Sequence, residues 1–161
     1  FTMKALAITA ATIALDSSGV PYTLRKFESD TVTGFGKEAA IRMTVDEDQV
    51  FKTILFGDKE MAVVAIAPVS REISTKRLAA AVGVRNLEPM ESALAQKMSG
   101  YVLGGISPFG QKKQLETVID SSADNFETIY VSGGRRGLEI CICPTDLMHA
   151  LNALVAHIHA E

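Results

Sequence analysis

Val50-Phe51-Lys52-Thr53-Ile54-Leu55-Phe56, then Gly57-Asp58-Lys59-Glu60, then Met61-Ala62-Val63-Val64-Ala65-Ile66-Ala67 is the stretch on which the fold turns. Two runs rich in β-branched and aromatic residues flank four turn-forming ones, which predicts a β-hairpin, and Pro68 ends its second strand. In the first strand, Val50, Ile54 and Phe56 share one face with Lys52, while Phe51, Thr53 and Leu55 take the other. Both faces are therefore apolar enough to be covered.

Outward from the hairpin, the chain alternates short strands and helices. Upstream, an N-terminal segment with Leu6, Ala10, Ile13 and Ala14 at helical spacing is stopped by Gly19 and Pro21, and Tyr22–Phe27 reads as a strand. Lys4 followed by Ala5-Leu6-Ala7-Ile8 has the look of a signal peptide. The short apolar run, closed by Asp16 and Ser17, favours an amphipathic helix instead. Lys37–Met43 reads as a brief helix, and Asp46-Glu47-Asp48 as a solvated cap or turn.

Downstream, Ser74–Val82 is expected to be a helix capped by Ser74 and stopped by Gly83, and Pro89–Met98 a second with Pro89 in its first turn. Extended segments are expected at Tyr101–Leu103, Thr117–Ile119, Thr128–Val131 and Leu138–Ile142, the last two as a hairpin around Gly133-Gly134-Arg135-Arg136-Gly137. Pro144 opens a final helix with Leu147, Leu151, Leu154 and Val155 on one face. Hairpins outnumber strand–helix–strand crossovers. The fold class is therefore α+β: a mixed, mainly antiparallel, partly barrel-like sheet flanked by helices.

At 161 residues, 47% hydrophobic and 22% charged, the chain fits a single globular domain, residues 1–161, with one ordinary core. No apolar run reaches the length needed to span a bilayer. With 16 basic against 19 acidic residues, a formal charge of −3, the overall balance argues against a surface that grips nucleic acid throughout, although a local basic patch is compatible with it. Cys141 and Cys143, two apart in a strand, are poorly placed to bridge each other and fit reduced thiols in a cytoplasmic protein. They also lack the C-x₂-C spacing of zinc modules, so no metal is expected there. His149, His157 and His159 read as solvated or capping residues, and no Gly-x-Ser-x-Gly nucleophile motif is present.

Three features stand apart from this ordinary pattern. Lys52 puts an ammonium among apolar strand residues, either as an edge-strand lysine reaching water or as the cation of a pocket. Gly104-Gly105-Ile106-Ser107-Pro108-Phe109-Gly110-Gln111-Lys112-Lys113 allows close ligand approach and frees backbone amides, although a purely structural turn has the same composition. It is neither a Walker loop nor a dinucleotide fingerprint. In Ser132-Gly133-Gly134-Arg135-Arg136-Gly137 the glycines suit the hairpin turn and the arginines present planar forks that suit phosphate. Together, Lys112, Lys113, Arg135 and Arg136 are candidates for contact with RNA, or solvated surface charges.

These motifs, with Val20-Pro21-Tyr22-Thr23-Leu24, Val50-Phe51-Lys52-Thr53 and Thr128 through Glu139, resemble the YbaK family of aminoacyl-tRNA editing proteins. That family is related to the editing domain inserted in bacterial prolyl-tRNA synthetases. The resemblance covers nearly the whole chain and implies a cofactor-free deacylase of mischarged tRNA, most similar to Cys-tRNA(Pro) deacylases. In these the substrate's own thiol attacks the ester carbonyl, releasing tRNA and a cyclic thiolactone.

By the same resemblance Lys52, Gly104 and Gly105 are catalytic positions, with Lys52 engaging the ribose or phosphate end and the glycines opening amides to the oxyanion. Phe27, Ser107, Pro108, Ser132 and Glu139 would form the substrate pocket. Phe27 stands where the family commonly carries tyrosine, and Glu139 is one methylene longer than its usual aspartate. Sister branches act on Ala-tRNA(Pro), and a non-catalytic nucleotide- or RNA-binding module is the alternative of a different class. The implied partners are mischarged tRNA and prolyl-tRNA synthetase, with neither DNA nor membrane.

Overall fold

The central hairpin forms where its residues dictate. In the computed structural model, which describes residues 8–161, β2 (Phe51–Gly57) runs antiparallel to β3 (Ala62–Pro68), with Phe51 opposite Pro68 and Gly57 opposite Ala62. The Asp58 carboxylate closes the turn by accepting hydrogen bonds from the amides of Glu60 and Met61, both at 2.9 Å. Gly57 has a φ of 96°, and a side chain there would meet the Met61 carbonyl oxygen at 1.9 Å. That close approach makes glycine obligatory.

β3 continues into a parallel pair with β4 (Glu116–Asp120), and β4 into a parallel pair with β7 (Leu154–Ala156), giving the order β2-β3-β4-β7. A second sheet is antiparallel throughout: β1 (Thr23–Lys26), β6 (Leu138–Ile142) and β5 (Ile129–Ser132), with β6 in the middle. The sheets meet where Val50, just before β2, forms a parallel bridge to Tyr130 of β5. The mixed α+β architecture thus agrees with the sequence reading, divided between two sheets joined at the β2–β5 seam.

Five α-helices surround the sheets among the described residues: α1 (Ala10–Ser18), α2 (Phe35–Met43), α3 (Thr75–Val82), α4 (Ser92–Ser99) and α5 (Pro144–Leu151). Local chemistry fixes their ends. Ser74 caps α3 by accepting from the Arg77 amide, and Gly83 ends it in the left-handed region. Thr9 and Thr12 form a reciprocal capping box at α1. The Thr9 hydroxyl also donates to the Gly133 carbonyl at 2.6 Å, tying α1 to the β5–β6 hairpin tip.

Packing departs from the sequence reading at four places. Leu6 lies outside the described residues, and α1 buries Ala11, Thr12 and Leu15 while Ile13 is exposed. The true inward stripe is thus turned by one position from the one expected. Pro89 does not open α4. It pairs with Phe56 at the sheet margin, and the helix begins only after Glu91. Tyr101–Leu103 is irregular and leads into a turn rather than forming a strand, and the Tyr101 hydroxyl donates to the Phe109 carbonyl. Finally, α5 stops at Leu151 because Asn152 takes a left-handed conformation (φ 52°), so Leu154 and Val155 belong to β7.

The main core lies between the sheets, where fully buried Ile66, Ile119, Ile129, Leu138, Ile140 and Leu147 pack together. On the opposite face of β3, Val63, Ala65 and Ala67 pack with Val118, Leu78 and Ile158. Each large aliphatic side chain so buried contributes about 1.5–3 kcal/mol. β3 is covered on both faces, which fixes its neighbour β2 and therefore the position of Lys52. No helix among the described residues is long and apolar enough to cross a membrane.

Candidate active site

The β2–β5 seam opens into a cavity of about 450 Å³. β2 contributes Lys52, Thr53 and Ile54, and the second sheet contributes Ser132 and Glu139, which face each other across the β5–β6 ladder. The N-terminal end of α2 closes another side with Phe35, Gly36 and Lys37, while Leu103, Gly104 and Ile106 form the rim. Glu72 stands on the Lys52 side.

The strand pattern alone left open whether Lys52 reaches water from a sheet edge or serves a pocket. β2 is indeed the outer strand of its sheet, but the edge faces the second sheet, and Lys52 is half-buried in the cavity wall. Its Nζ donates to the Arg71 carbonyl at 2.7 Å. Burial lowers the lysine pKa below its ordinary value, Glu72 opposes that and Lys37 adds to it. One of the three ammonium protons is committed to Arg71, which leaves two for a ligand.

Glu139 supplies the opposite chemistry. It is 8% exposed, and burial pushes its carboxyl pKa up to about 8. At neutral pH the group is mostly protonated and is a hydrogen-bond donor as well as an acceptor. Ser132 presents a hydroxyl that accepts from the Gly134 amide at 3.2 Å and keeps its proton for donation. Thr53 Oγ1 is buried without a hydrogen-bond partner. The cavity therefore combines the Lys52 ammonium, a neutral acid and the Ser132 hydroxyl on apolar walls, with Lys37 and Glu72 also in its lining, a set suited to a small polar group that carries an acyl oxygen.

The glycine-rich loop divides its work. Gly104 lines the cavity with a φ of 84°, and a side chain there would lie 2.9 Å from the Phe35 ring and from Arg136 Nε. Gly105 does not line the cavity. Its amide donates to the Val102 carbonyl at 2.9 Å, and a Cβ would approach Arg135 Cα to 2.7 Å, so this glycine seats the loop on the hairpin. Its amide is therefore committed within the loop rather than aimed at a ligand.

Ser107 and Pro108 also lie outside the cavity lining. Ser107 is fully buried, with its hydroxyl accepting from the Phe109 amide and its carbonyl accepting from Gln111 Nε2, while Pro108 borders a separate hollow near Ala14 and Leu151. Phe27 is not in the cavity lining either; it packs against the cluster that holds Met43, Val50, Val69 and Tyr130.

Among the four basic candidates, Arg136 has a structural task. Its Nε donates to the Leu103 carbonyl at 3.0 Å and its guanidinium lies 4.6 Å from the centre of the Phe35 ring, which clamps the rim over α2. Lys112 lays its alkyl stem against Gly100, while Lys113 and Arg135 are exposed. Phe35, Gly36, Lys37, Thr53 and Glu72 were not singled out from the sequence. Only the Gly34-Phe35-Gly36 run at a helix start offered a signal, since a Cβ on Gly36 would collide with Val69 Cγ1 at 2.2 Å.

A chain that sets a half-buried lysine, a neutral acid and a glycine-opened loop around one small cavity at the junction of two sheets is built as a compact editing-type domain. Its sequence matches the aminoacyl-tRNA editing domain over residues 32–150, and the chain belongs to that family, whose members act on mischarged aminoacyl-tRNA. It is 31% identical over 140 residues, covering 86% of this chain and 85% of the other, to EbsC of Enterococcus faecalis, described as a candidate Cys-tRNA(Pro)/Cys-tRNA(Cys) deacylase.

Two solved structures share the fold. A candidate trans-editing enzyme for prolyl-tRNA synthetase matches with a TM-score of 0.85 at 19% identity, covering 96% of this chain and all of the other. The hypothetical protein APE2540 matches at 0.85 and 20% identity, covering 94% and 100%.

Proposed function

We propose that the protein is a trans-editing deacylase that removes cysteine from Cys-tRNA(Pro), working in the cytoplasm beside prolyl-tRNA synthetase, and that Lys52, Gly104, Ser132 and Glu139 form its site. The reading rests on one observation above the others: these four positions, spread over the chain, border a single cavity of about 450 Å³. The family match and the likeness to EbsC support it.

In this mechanism the protein supplies no nucleophile. The sulfur of the esterified cysteine attacks its own carbonyl carbon, the bond from that carbon to the ribose oxygen breaks, and the thiol proton ends on the ribose hydroxyl. The products are a thiolactone and free tRNA. Lys52 holds the ribose or phosphate side of the ester with the protons that Arg71 leaves free, and so opposes charge growing on the leaving oxygen. Glu139, neutral at pH 7, and the Ser132 hydroxyl orient the aminoacyl group without placing a buried anion next to the forming oxyanion. Gly104 permits the close approach at the rim.

Selection against larger amino acids by size alone is worth only about 1–3 kcal/mol per methylene. Dependence on the substrate's thiol adds a chemical criterion that alanine and proline do not meet. Lys113 and Arg135, with Lys112, provide phosphate contacts, and the synthetase supplies the remaining tRNA specificity in a ternary complex.

The test is ester loss from purified Cys-tRNA(Pro), Ala-tRNA(Pro) and Pro-tRNA(Pro) with and without protein. Rapid loss of cysteine with a thiolactone product is expected. Turnover of the alanyl ester alone moves the assignment to an alanine-editing branch, and rates equal to the protein-free control make the protein a binding module.

A further inference from the structure

Residues His157-Ile158-His159-Ala160-Glu161 follow β7, with His157 exposed, Ile158 buried and His159 partly buried. Ile158 is fully buried in the core behind β3, and His159 forms a bridge with Ile73 that fixes the register. His157, His159 and Glu161 are thereby set together on the other face, and one donor atom from each lies within 4.8 Å of the other two.

Asp120, fully buried at the end of β4, organises this stretch. Its Oδ1 accepts from the amides of Ile158 at 2.8 Å and His159 at 3.0 Å, and its Oδ2 lies 2.9 Å from His159 Nδ1. With the carboxylate beside Nδ1, the ring turns Nε2 away from Asp120. A carboxylate holding the far nitrogen of an imidazole is the arrangement that orients metal-binding histidines.

Arg77 from α3 enters the same cluster. Its Nη1 lies 2.9 Å from Nδ1 and 2.8 Å from Nε2 of His157, and 3.3 Å from Glu161 Oε1. A point nearly equidistant from both ring nitrogens in the ring plane would fall against ring carbons, so the guanidinium sits over the ring face. Neither imidazole lone pair is therefore directed at it. The cluster already gathers a positive group, on a side chain that is 38% exposed.

We propose that His157, His159 and Glu161 bind a divalent transition metal of the zinc class, with Asp120 as the positioning residue and Arg77 as the cation displaced. Two imidazoles and a carboxylate suit zinc, leave one position for water, and are a poor set for magnesium or calcium. His159 borders a second cavity of about 250 Å³ with Asp48, Arg71, Ser122 and Asn125, which gives the ion a way in. No ligand of this site lines the Lys52 cavity, and the donor set is distinct from Cys141 and Cys143, so the proposal is independent of the editing reading.

The test is titration of metal-free protein with zinc chloride by calorimetry, together with thermal midpoints with and without zinc. One saturable site and a raised midpoint are expected. His157→Gln and Glu161→Gln each weaken binding at least tenfold while leaving the zinc-free midpoint unchanged, and Arg77→Ala tightens it. Asp120→Asn weakens binding about 10–100-fold and alters the visible spectrum of the cobalt(II) form, which reports ligand geometry. Absence of saturable binding up to about millimolar zinc overturns the proposal, as do wild-type affinity in His157→Gln or binding abolished only by Cys141→Ser or Cys143→Ser.

Discussion

Replacing Glu139 by glutamine separates what the site does for chemistry from what it costs the fold. In the unfolded chain the carboxyl titrates near 4.5, whereas burial raises it to about 8 in the folded protein. Between those values the unfolded state gives up its proton first, so the folded state loses stability as pH rises, at about 1.4 kcal/mol per pH unit. The contribution is complete below pH 4.5 and falls through the window up to pH 8. By pH 7 the accumulated cost is about 3 kcal/mol.

Glutamine has nearly the same shape and does not ionise. Glu139→Gln is therefore more stable than wild type by about 3 kcal/mol at pH 7, or roughly 6–12 °C in thermal midpoint for a chain of this size. The gap closes as pH approaches 4.5. Urea or thermal unfolding of both proteins at pH 4.5, 7 and 8 measures it. Any packing change introduced by the amide acts equally at each pH, so the slope carries the test. A gap that is constant with pH, or that narrows as pH rises, refutes the reasoning.

Three further outcomes follow from the geometry. Gly105→Ala drives a methyl group into the Arg135 backbone, where a Cβ would lie 2.7 Å from Cα. A cost of about 1–3 kcal/mol is expected in chemical unfolding, with reduced deacylation because the Gly104 rim moves with it. Arg136→Ala removes both the Leu103 hydrogen bond and the stacking on Phe35. It is expected to raise KM several-fold in steady-state deacylation with little change in kcat, since the rim holds substrate and does not touch the ester. Lys113→Ala is expected to weaken tRNA binding and reduce the dependence of log Kd on log salt by about one unit of slope in filter-binding titrations, as for a single phosphate contact.

How far the sequence discloses the structure depends on whether a signal is local. The β2–β3 hairpin was legible because Gly57 and Asp58 carry its turn chemistry in their own side chains and backbone. The bounds of α3 were legible for the same reason, through Ser74 and Gly83. The end of α5 was misread because Leu151, Leu154 and Val155 keep helical spacing across Asn152. Only the left-handed conformation of Asn152, a common helix stop, turns the chain into β7.

Within the site, Lys52 stood out because a cation on an apolar strand demands an explanation. Glu72 and Lys37, which shift its pKa, did not, because ordinary charged residues acquire that role only through tertiary placement. Gly105 illustrates the converse. Its neighbour Gly104 borders the cavity, yet Gly105 itself is required by contact with Arg135, thirty residues away and invisible in a local pattern. The pairing of His159 with Asp120 was hidden in the same way, and the histidine first read as a solvated or capping residue is in fact held by a buried carboxylate.

The most direct measurement is the first-order deacylation of Cys-tRNA(Pro) by wild type and Lys52→Ala, both checked for equal unfolding midpoints. Loss of one preorganised cationic donor at the ester predicts a rate lower by roughly 100-fold or more. A folded Lys52→Ala protein that releases cysteine at the wild-type rate would contradict the account.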